Sequence, residues 1–376
     1  MLYLNPKDLA GASLLPCGTC EAGWSDMAPG ADWAAEAPWL TQGWRALEAG
    51  AALPTQTLAY AQALARTMVA QEPVRLVWAR RNGALAAVLP LVRARTPAAR
   101  WRLLGISEVH EPGDVLASDP AAVAALAGQL ARLGGAVWLG RLPAGSALVA
   151  ALSRAMHGRG HVVVRPAVPC PTLALGPQWA DPASQFNAGR RSDLRRARRR
   201  AEALGPVALA THRPTPAALP PLLDAAIGVE DSGWKLAAGS ALAVDAVKQA
   251  FFREFLGAAA GEGWLTIHFL HIGEALAAMQ LALEWQRRLW LFKIGYNEAF
   301  AKCSPGSLLM LHAIADAAAR GLDAFELMGQ AEGWIARDWT PAVHGCVSVR
   351  GYPASVAGAV ALARDGLAWG RQRLSR

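Results

Sequence analysis

The sequence predicts an α/β protein with a mixed sheet, built from two halves of similar element order. Runs rich in β-branched and aromatic residues predict strands, and segments with apolar residues three and four positions apart predict helices. The chain has 376 residues, of which 53% are hydrophobic. A chain of this length and hydrophobic content is larger than one hydrophobic core usually organises, which favours two domains.

The first half is predicted to run from residue 31 to about 170. Helical patterns cover 33–70, 121–133 and 146–157. Strand patterns cover Val74–Ala79 and Ala84–Ala94, with a hairpin turn at Asn82-Gly83, and further strands follow at 136–142 and His161–Pro166. The proline-rich stretch PAVPCPTLALGP indicates a boundary between domains. We therefore divide the chain into an N-terminal extension (1–30), a first domain (31–170) and a second domain (171–376).

The second half repeats this order with more elements. A strand at Pro206–His212 precedes helices at about 215–229 and 242–260. A three-strand meander is predicted next, with strands at Trp264–Gly273, Ala275–Trp285 and Arg287–Asn297 and turns at Gly273-Glu274 and Gln286-Arg287. A helix begins at Ser304-Pro305-Gly306 and ends at Gly321, because serine, proline and glycine are typical of these positions. Strands at 324–329 and His344–Tyr352 complete the order.

One short segment holds most of the excess positive charge. The formal net charge is +8, and Gly189–Arg200 contains seven arginines and one aspartate; without them, 30 basic residues face 28 acidic ones. Leu194, Ala197, Ala201 and Leu204 form one helical stripe, so we predict a helix with Ser192 as N-cap that ends at Gly205. Its arginines form either a solvated face or a site for an anion, with Arg195, Arg198 and Arg199 as the anion-binding candidates. We expect the helix to dock at the junction of the two halves.

The cysteines and the missing motifs narrow the function classes. Five cysteines, an odd number, argue against a disulfide framework and for a reducing compartment, which predicts a cytoplasmic protein. The pair Cys17 and Cys20 has no second pair to complete a ligand set, so we predict no metal site. Because the sequence shows no export signal, apolar span, Ser-His-Asp order, Walker loop or H-E-x-x-H motif, membrane spans, covalent hydrolases, nucleotidases and zinc enzymes are disfavoured.

Four segments in order carry a family resemblance: RRSDLRRARRRAEALG, VEDSGWKLAAGSAL, KIGYNEAFAKCSPGSLLMLHAI and FELMGQAEGW. They resemble the GNAT-like acyltransferase domain of the CelD/BcsL type, a relative of the Fem-type aminoacyl-tRNA-dependent peptidyltransferases. The resemblance covers about 185–340 well and the first half loosely, through GALAAVLPLVRA and EPGDVLA. It implies tandem GNAT-like domains, of which the C-terminal one is complete.

This resemblance implies an acyltransferase that moves an acyl group from acyl-CoA, its co-substrate, directly to an amine or hydroxyl. Two alternatives stay open: transfer of an aminoacyl group from charged tRNA, and a non-catalytic scaffold in polysaccharide or envelope assembly. The arginine helix could lie along RNA phosphates, which favours the tRNA alternative. The helix has no interleaved aromatic residues for base stacking, which argues against the tRNA alternative.

The resemblance implies a donor site where the strand before the central helix splays from its neighbour. In domains of this family, backbone N–H groups and the helix N-terminus hold the pyrophosphate of an acyl carrier there. Ser304 can cap the helix, Gly306 lets a phosphate approach, and Lys302 adds positive charge. The usual GNAT fingerprint with two spaced glycines is absent, and the same letters are also an ordinary helix start. The predicted donor-binding residues are Lys302, Ser304, Gly306, Ser307 and Leu308.

The strand Arg287–Asn297 is predicted to alternate between two faces. Trp290, Phe292, Ile294 and Tyr296 form a bulky face, and Leu291, Lys293, Gly295 and Asn297 form the other. A charged residue within an apolar strand is costly to bury unless it is paired. Lys293 therefore either faces a ligand cleft or forms an ion pair, with Glu326 or Glu284 as partner.

The resemblance implies an acceptor site around the segment Gly228–Ser240, which combines carboxylates, an indole and a cation. The alternative is a plain loop anchored by its tryptophan. Glu230 is the first candidate for the catalytic base and Glu284 the second, while Tyr296 is a candidate proton donor. Relatives often carry Asp at the place of Asn297, and an aromatic residue followed by Lys at the place of Trp334-Ile335; we expect Arg337 to replace that cation. The predicted acceptor-binding residues are Asp231, Trp234, Lys235, Lys293, Asn297, Trp334 and Arg337.

Overall fold

The computed structural model describes residues 20–94, 100–231, 245–329 and 333–374. Its strands form one mixed sheet in the order β1-β2-β3-β4-β6-β13-β7-β12-β11-β10-β9-β8, and β5 pairs with β3. The β4–β6 and β11–β12 pairs are parallel. The predicted mixed α/β fold is thereby confirmed. The strands are β1 (Glu21–Met27), β2 (Val74–Arg81), β3 (Ala84–Val92), β4 (Trp101–Leu103), β5 (Leu116–Ala117), β6 (Val137–Pro143), β7 (Gly160–Ala174), β8 (Val207–His212), β9 (Leu265–Ile272), β10 (Ala275–Trp285), β11 (Arg288–Tyr296), β12 (Ala324–Glu326) and β13 (Val343–Pro353).

The described α-helices cover both faces of this sheet. Helices α1–α3 and α7–α8 contribute to one hydrophobic cluster, which joins residues of both predicted halves. For example, the ring of Tyr60 meets the ring of Phe255 edge-on at 5.2 Å. The helices are α1 (Trp33–Glu36), α2 (Pro38–Leu47), α3 (Leu58–Arg66), α4 (Pro120–Leu130), α5 (Ala147–Ala155), α6 (Ala188–Glu202), α7 (Leu219–Asp231), α8 (Ala246–Gly261), α9 (Pro305–Ala319), α10 (Gly333–Asp338) and α11 (Val356–Leu374).

Two hairpins follow the turn chemistry of their sequences. Asn82 and Gly83, between β2 and β3, have φ of 50° and 82°, as a two-residue turn of the mirror-image type requires. Gln286 and Arg287 join β10 to β11 with φ of 49° and 57° although neither is glycine. Both predicted turns are confirmed, because the paired strands on either side impose the left-handed conformation.

The proline-rich stretch is a strand, which corrects one expectation. The strand predicted to end at Pro166 runs on to Ala174. From Gly160 to Pro171 it pairs with β13 on one side, and β12 joins the other side only at Thr172–Ala174. Proline is tolerated here because a strand that is open on one side needs no N–H donor there.

The end strands of the two predicted halves are interleaved. β13 lies between β6 and β7 of the first half, although its residues belong to the end of the predicted second half. β1, from the predicted extension, pairs with β2 along its full length. Strand pairing therefore ties residues 343–353 to the sheet of the first half.

No helix in the described ranges combines the length and apolarity that a bilayer crossing needs. Cys20, Cys170, Cys303 and Cys346 are free thiols, and Cys17 lies outside the described residues. The described ranges contain no cluster of three or more potential metal ligands.

Candidate functional site

The sheet opens between β11 and β12. β11 pairs with β12 only from Arg288 to Trp290, whereas it stays paired with β10 as far as Tyr296. The chain after β12 bends away, since Met328 and Gly329 have φ of 45° and 54°. Among the described strands, none pairs with Leu291–Tyr296 on the β12 side. The result is a V-shaped opening at the end of the two strands.

Residues of the first half hold the far side of this opening. The Gly329 N–H donates to Oε2 of Glu111 at 3.1 Å, and the Gly329 carbonyl accepts from Arg141 Nη2 at 2.6 Å. Burial raises the pKa of Glu111 to about 7, while Arg141 and the Gly329 amide lower it in part. Sequence reasoning missed all three residues, because they are about 190 to 220 positions apart in the chain.

A cavity of about 520 Å³ lies inside the opening. One wall is the end of β11, a second is the first turn of α9, and a third carries the indoles of Trp334 and Trp339. Its lining residues include six that were predicted from the sequence, namely Glu230, Tyr296, Ser304, Gly306, Ser307 and Trp334. They also include three that were not singled out, namely Gln280, Met310 and Trp339.

The first turn of α9 presents an unused backbone donor. Ser304 occupies the N-cap position with φ of 47°, and its side chain makes no capping bond, so the expected cap is wrong. The N–H of Ser307 bonds to the Ser304 carbonyl at 3.0 Å. The Gly306 N–H has no hydrogen-bond partner within the described residues. A Cβ at Gly306 would meet only Tyr296, at 4.0 Å, so the glycine leaves open space beside its amide.

β11 contains a bulge that corrects the predicted alternation. Lys293 pairs with Leu281 on β10, and Leu291 pairs with the next residue, Ala282. Phe292 lies between them without a partner in this register, which makes it the bulged residue. After the bulge, Lys293 and Gly295 lie on the same face of the sheet as Trp290. The residues of β10 opposite these three belong to the cluster that α7 and α8 cover. Ile294 and Tyr296 therefore face α9 instead. An alternation read from sequence cannot show a bulge, because a bulge is defined by the partner strand.

Lys293 is an ion-pair partner, with a carboxylate that was not predicted for it. Its Nζ lies 2.8 Å from Oε1 of Glu230 and 5.7 Å from the Phe252 ring. The side chain of Glu230 is fully buried and that of Lys293 is 17% exposed. A Cβ at Gly295 would come within 3.4 Å of the Glu230 backbone, so this glycine lets α7 approach β11. Glu326 and Glu284, the partners considered from sequence, bond to Arg288 and Arg320.

Several predicted residues lie away from the cavity. Glu284 is four positions along β10 from Gln280, about 13 Å, and forms an ion pair with Arg320, which argues against its role as the second base. Asn297 caps the 3₁₀ turn at Glu298–Cys303 by accepting from the Ala299 N–H. Arg337 is 71% exposed and pairs with Asp338.

The remaining predicted residues are placed as follows. Leu308 is buried and packs beside Ala197 and Ala201. The Lys302 carbonyl accepts from Arg200, and the residue precedes α9 by one short turn without lining the cavity. The side chain of Asp231, together with Trp234 and Lys235, lies outside the described residues.

Gln280 is a buried polar group with an unmet hydrogen bond. Its side chain is almost fully buried on β10, and its Nε2 contacts the Met310 sulfur at 3.7 Å. Its Oε1 has no partner among the described residues. A buried acceptor without a partner is costly and rare, so an orphan acceptor in a cavity wall indicates a place for a ligand donor.

The arginine helix docks differently from the prediction. α6 begins after Asn187, whose side chain accepts from the Arg190 N–H, so Ser192 lies inside the helix. Leu194, Ala197 and Ala201 are buried as predicted, whereas Leu204 is 62% exposed. This buried face packs on β9, β10 and α9 within the second half, and not at the junction of the two halves.

Comparisons with known proteins agree with this architecture. Residues 188–334 match the family model described as an acetyltransferase (GNAT) domain. No curated protein sequence matches the chain significantly. The predicted enzyme class, an acyltransferase, is confirmed by the family match, which covers the elements from α6 to the start of α10.

Three solved structures share the fold at low sequence identity. The C-terminal domain of a putative lysylphosphatidylglycerol synthetase from Agrobacterium fabrum has a TM-score of 0.50 and 12% identity, covering 86% of this chain and 93% of its own. FemX has a TM-score of 0.53 and 10% identity, covering 83% and 96%. A conserved protein of unknown function from Bacteroides thetaiotaomicron has a TM-score of 0.51 and 10% identity, covering 83% and 97%. These likenesses extend over both halves of the chain and concern the fold alone.

Proposed function

We propose that the protein transfers an acyl group from acyl-CoA directly to an amine or hydroxyl acceptor in the opening between β11 and β12. One observation carries this proposal: a cavity of about 520 Å³ is bounded both by the splayed end of β11 and by the N-terminus of α9. The helix end suits a phosphate, and the gap between strands suits the extended arm that connects it to the acyl group.

The donor would be held by the first turn of α9. The helix of fifteen residues directs the positive end of its dipole at this turn. The Gly306 N–H and the hydroxyls of Ser304 and Ser307 are the donors that line the cavity here. We assign the pyrophosphate of acyl-CoA to these groups, with Lys302 close by in sequence as an electrostatic contribution. Leu308 is buried in the core, so its side chain is not part of the proposed donor-binding site.

The chemistry would be a single displacement at the thioester carbonyl. The acceptor nitrogen or oxygen forms a bond to the acyl carbon, the carbon–sulfur bond breaks, and the thiolate of CoA takes up a proton. A backbone amide at the end of β11 would polarise the carbonyl as charge develops on its oxygen. Glu230, at the cavity wall, would accept the proton of the nucleophile, and the Tyr296 hydroxyl would supply one to the thiolate.

The acceptor side would be formed by Gln280, Trp334 and Trp339. The orphan Oε1 of Gln280 would accept a hydrogen bond from a substrate N–H or O–H. The two indoles provide apolar walls for the acyl chain or for the body of the acceptor. Asp231, Trp234 and Lys235 remain acceptor candidates by their place in the sequence, directly after Glu230.

The CelD/BcsL assignment and a cytoplasmic site of action belong to this proposal. Cytoplasm is consistent with an acyl-CoA donor and with free thiols at Cys170 and Cys346, whose sulfurs are 3.9 Å apart without forming a disulfide.

Calorimetry with acetyl-CoA and longer acyl-CoAs tests the proposal. We expect binding of at least one acyl-CoA, and release of free CoA thiol when a panel of primary amines and alcohols is added. Absence of binding by every acyl-CoA, together with tight binding of aminoacyl-tRNA, would replace the donor with charged tRNA. Absence of both would favour a scaffold without catalysis.

A further inference from the structure

A second groove, of about 860 Å³, lies on the opposite side of α9 from the proposed transfer cavity. α9 separates the two spaces, because Ser307 and Met310 line the cavity whereas Leu311, His312 and Ala315 line the groove. α6 forms the other side of the groove, and the edge strand β8 contributes to its floor. A ligand in this groove would therefore not compete for the space of the acyl donor.

Arginines of α6 form the rim of this groove. Arg191, Arg195, Arg198 and Arg199 all line it, together with two carboxylates, Asp181 and Glu202. Arg198 is paired with Glu202 at 2.8 Å, and Arg191 donates to the Phe186 carbonyl at 2.7 Å. Arg195 and Arg199, one helical turn apart, have no carboxylate partner among the described residues. Two like charges at this spacing destabilise a helix slightly, so a bound anion would relieve their repulsion.

The floor of the groove is apolar. Val207 and Leu209 on β8 and Leu311 on α9 are half-buried and line it. No phenylalanine, tyrosine or tryptophan is among the described lining residues. Aromatic platforms are what proteins use to stack nucleic-acid bases, so this floor favours a hydrocarbon over an RNA strand.

We infer that this groove binds an anionic amphiphile, with its phosphate group between Arg195 and Arg199 and its hydrocarbon part along Val207, Leu209 and Leu311. A guanidinium pair is suited to phosphate because each can donate two parallel hydrogen bonds. The volume lies within the range of pockets that enclose small ligands. The groove is a site separate from the acyl-transfer cavity, and its occupancy does not depend on which acyl donor the cavity takes.

The test uses the full chain and monomeric dihexanoyl phosphatidic acid as probe. Arg195→Gln with Arg199→Gln is expected to weaken binding by about tenfold or more, since two charge-assisted contacts are lost. Arg196→Gln with Arg200→Gln is the matched control, because it removes the same charge from adjacent positions of the same helix that do not line the groove. This control is expected to retain binding within about twofold, since only screened long-range attraction changes.

A second variant tests the hydrocarbon contact. Leu209→Thr keeps a strand-compatible residue and should weaken the probe several-fold while leaving the affinity for inorganic phosphate unchanged. Equal losses in both arginine pairs would overturn the proposal. A single-stranded RNA of 20 nucleotides that binds more tightly than the probe, and is insensitive to Leu209→Thr, would also overturn it in favour of a polyanion surface.

Discussion

The ammonium of Lys293 lies 2.8 Å from the carboxylate of Glu230, at the wall of the proposed transfer cavity. The pair joins the splayed end of β11 to the last turn of α7, so it fixes the base candidate and the strand together. The Glu230 side chain is fully buried, and an unpaired charge at this place would be costly.

Breaking this pair from one side is predicted to destabilise the protein. Lys293→Met should lower the free energy of unfolding by about 3–5 kcal/mol, because it removes the ammonium that lies 2.8 Å from the buried Glu230 carboxylate. The double variant Lys293→Met, Glu230→Gln should recover much of this loss while remaining poor in acyl transfer. Urea unfolding and an assay of free CoA thiol measure the two effects. Arg253→Met, which breaks an exposed pair with Asp224, is the control and should leave unfolding nearly unchanged. A double variant with wild-type turnover would exclude Glu230 as the base.

Gly306→Ala is predicted to weaken donor binding without weakening the fold. The added methyl has room within the helix but projects beside the Gly306 amide, which has no partner in the described part of the chain and where the donor phosphate is proposed to sit. We expect the dissociation constant of acetyl-CoA to rise about tenfold or more, as for the loss of one charge-assisted hydrogen bond. Gly257→Ala in α8, where a Cβ has nothing within 4 Å, is the matched control. If both variants bind acetyl-CoA equally, the phosphate lies elsewhere.

Gln280→Met is predicted to separate stability from activity. The substitution keeps the volume but removes the orphan acceptor, so unfolding should become harder by about 1 kcal/mol. Turnover or acceptor affinity should fall, because the substrate loses its partner. Gln56→Met is the contrasting variant: Gln56 donates to the Val115 carbonyl and accepts from the Leu53 N–H, so its loss should destabilise. Thermal unfolding and steady-state kinetics read out both. A destabilised Gln280→Met protein with normal kinetics would make Gln280 a structural residue.

Local signals predicted most of the second half and six cavity residues. The hairpin turns and the start of α9 depend on neighbouring residues, so they can be read from sequence. The faces on which the residues after Phe292 lie could not be predicted from the sequence, because the bulge exists only in the pairing with β10. The contacts of Gly329 with Glu111 and Arg141 could not be predicted either, since they join segments that are distant in the chain. Gln280 had no signal beyond a single polar letter in an apolar strand.

Glu111 is predicted to make stability depend on pH. Its pKa is raised by burial from 4.5 to about 7, so the folded protein holds a proton that the unfolded chain has already released. The contribution of Glu111 to the free energy of unfolding is therefore fully present below pH 4.5 and is lost as the pH rises to about 7. The stability difference between wild type and Glu111→Gln should fall by roughly 3 kcal/mol across this window and stay constant above it. Urea unfolding at several pH values measures it, and Glu274→Gln, in an exposed turn, serves as control. A flat difference would mean that Glu111 is ionised throughout.

The place of β13 has a consequence for biosynthesis. Its neighbours β6 and β7 are translated early, but the gap between them closes only when residues 343–353 have emerged from the ribosome. The first half thus cannot finish folding as an independent unit during synthesis, in contrast to the usual order in which N-terminal domains fold first. Until then β6 and β7 expose unpaired edges, so the nascent chain is open to wrong strand pairing for about half of its translation.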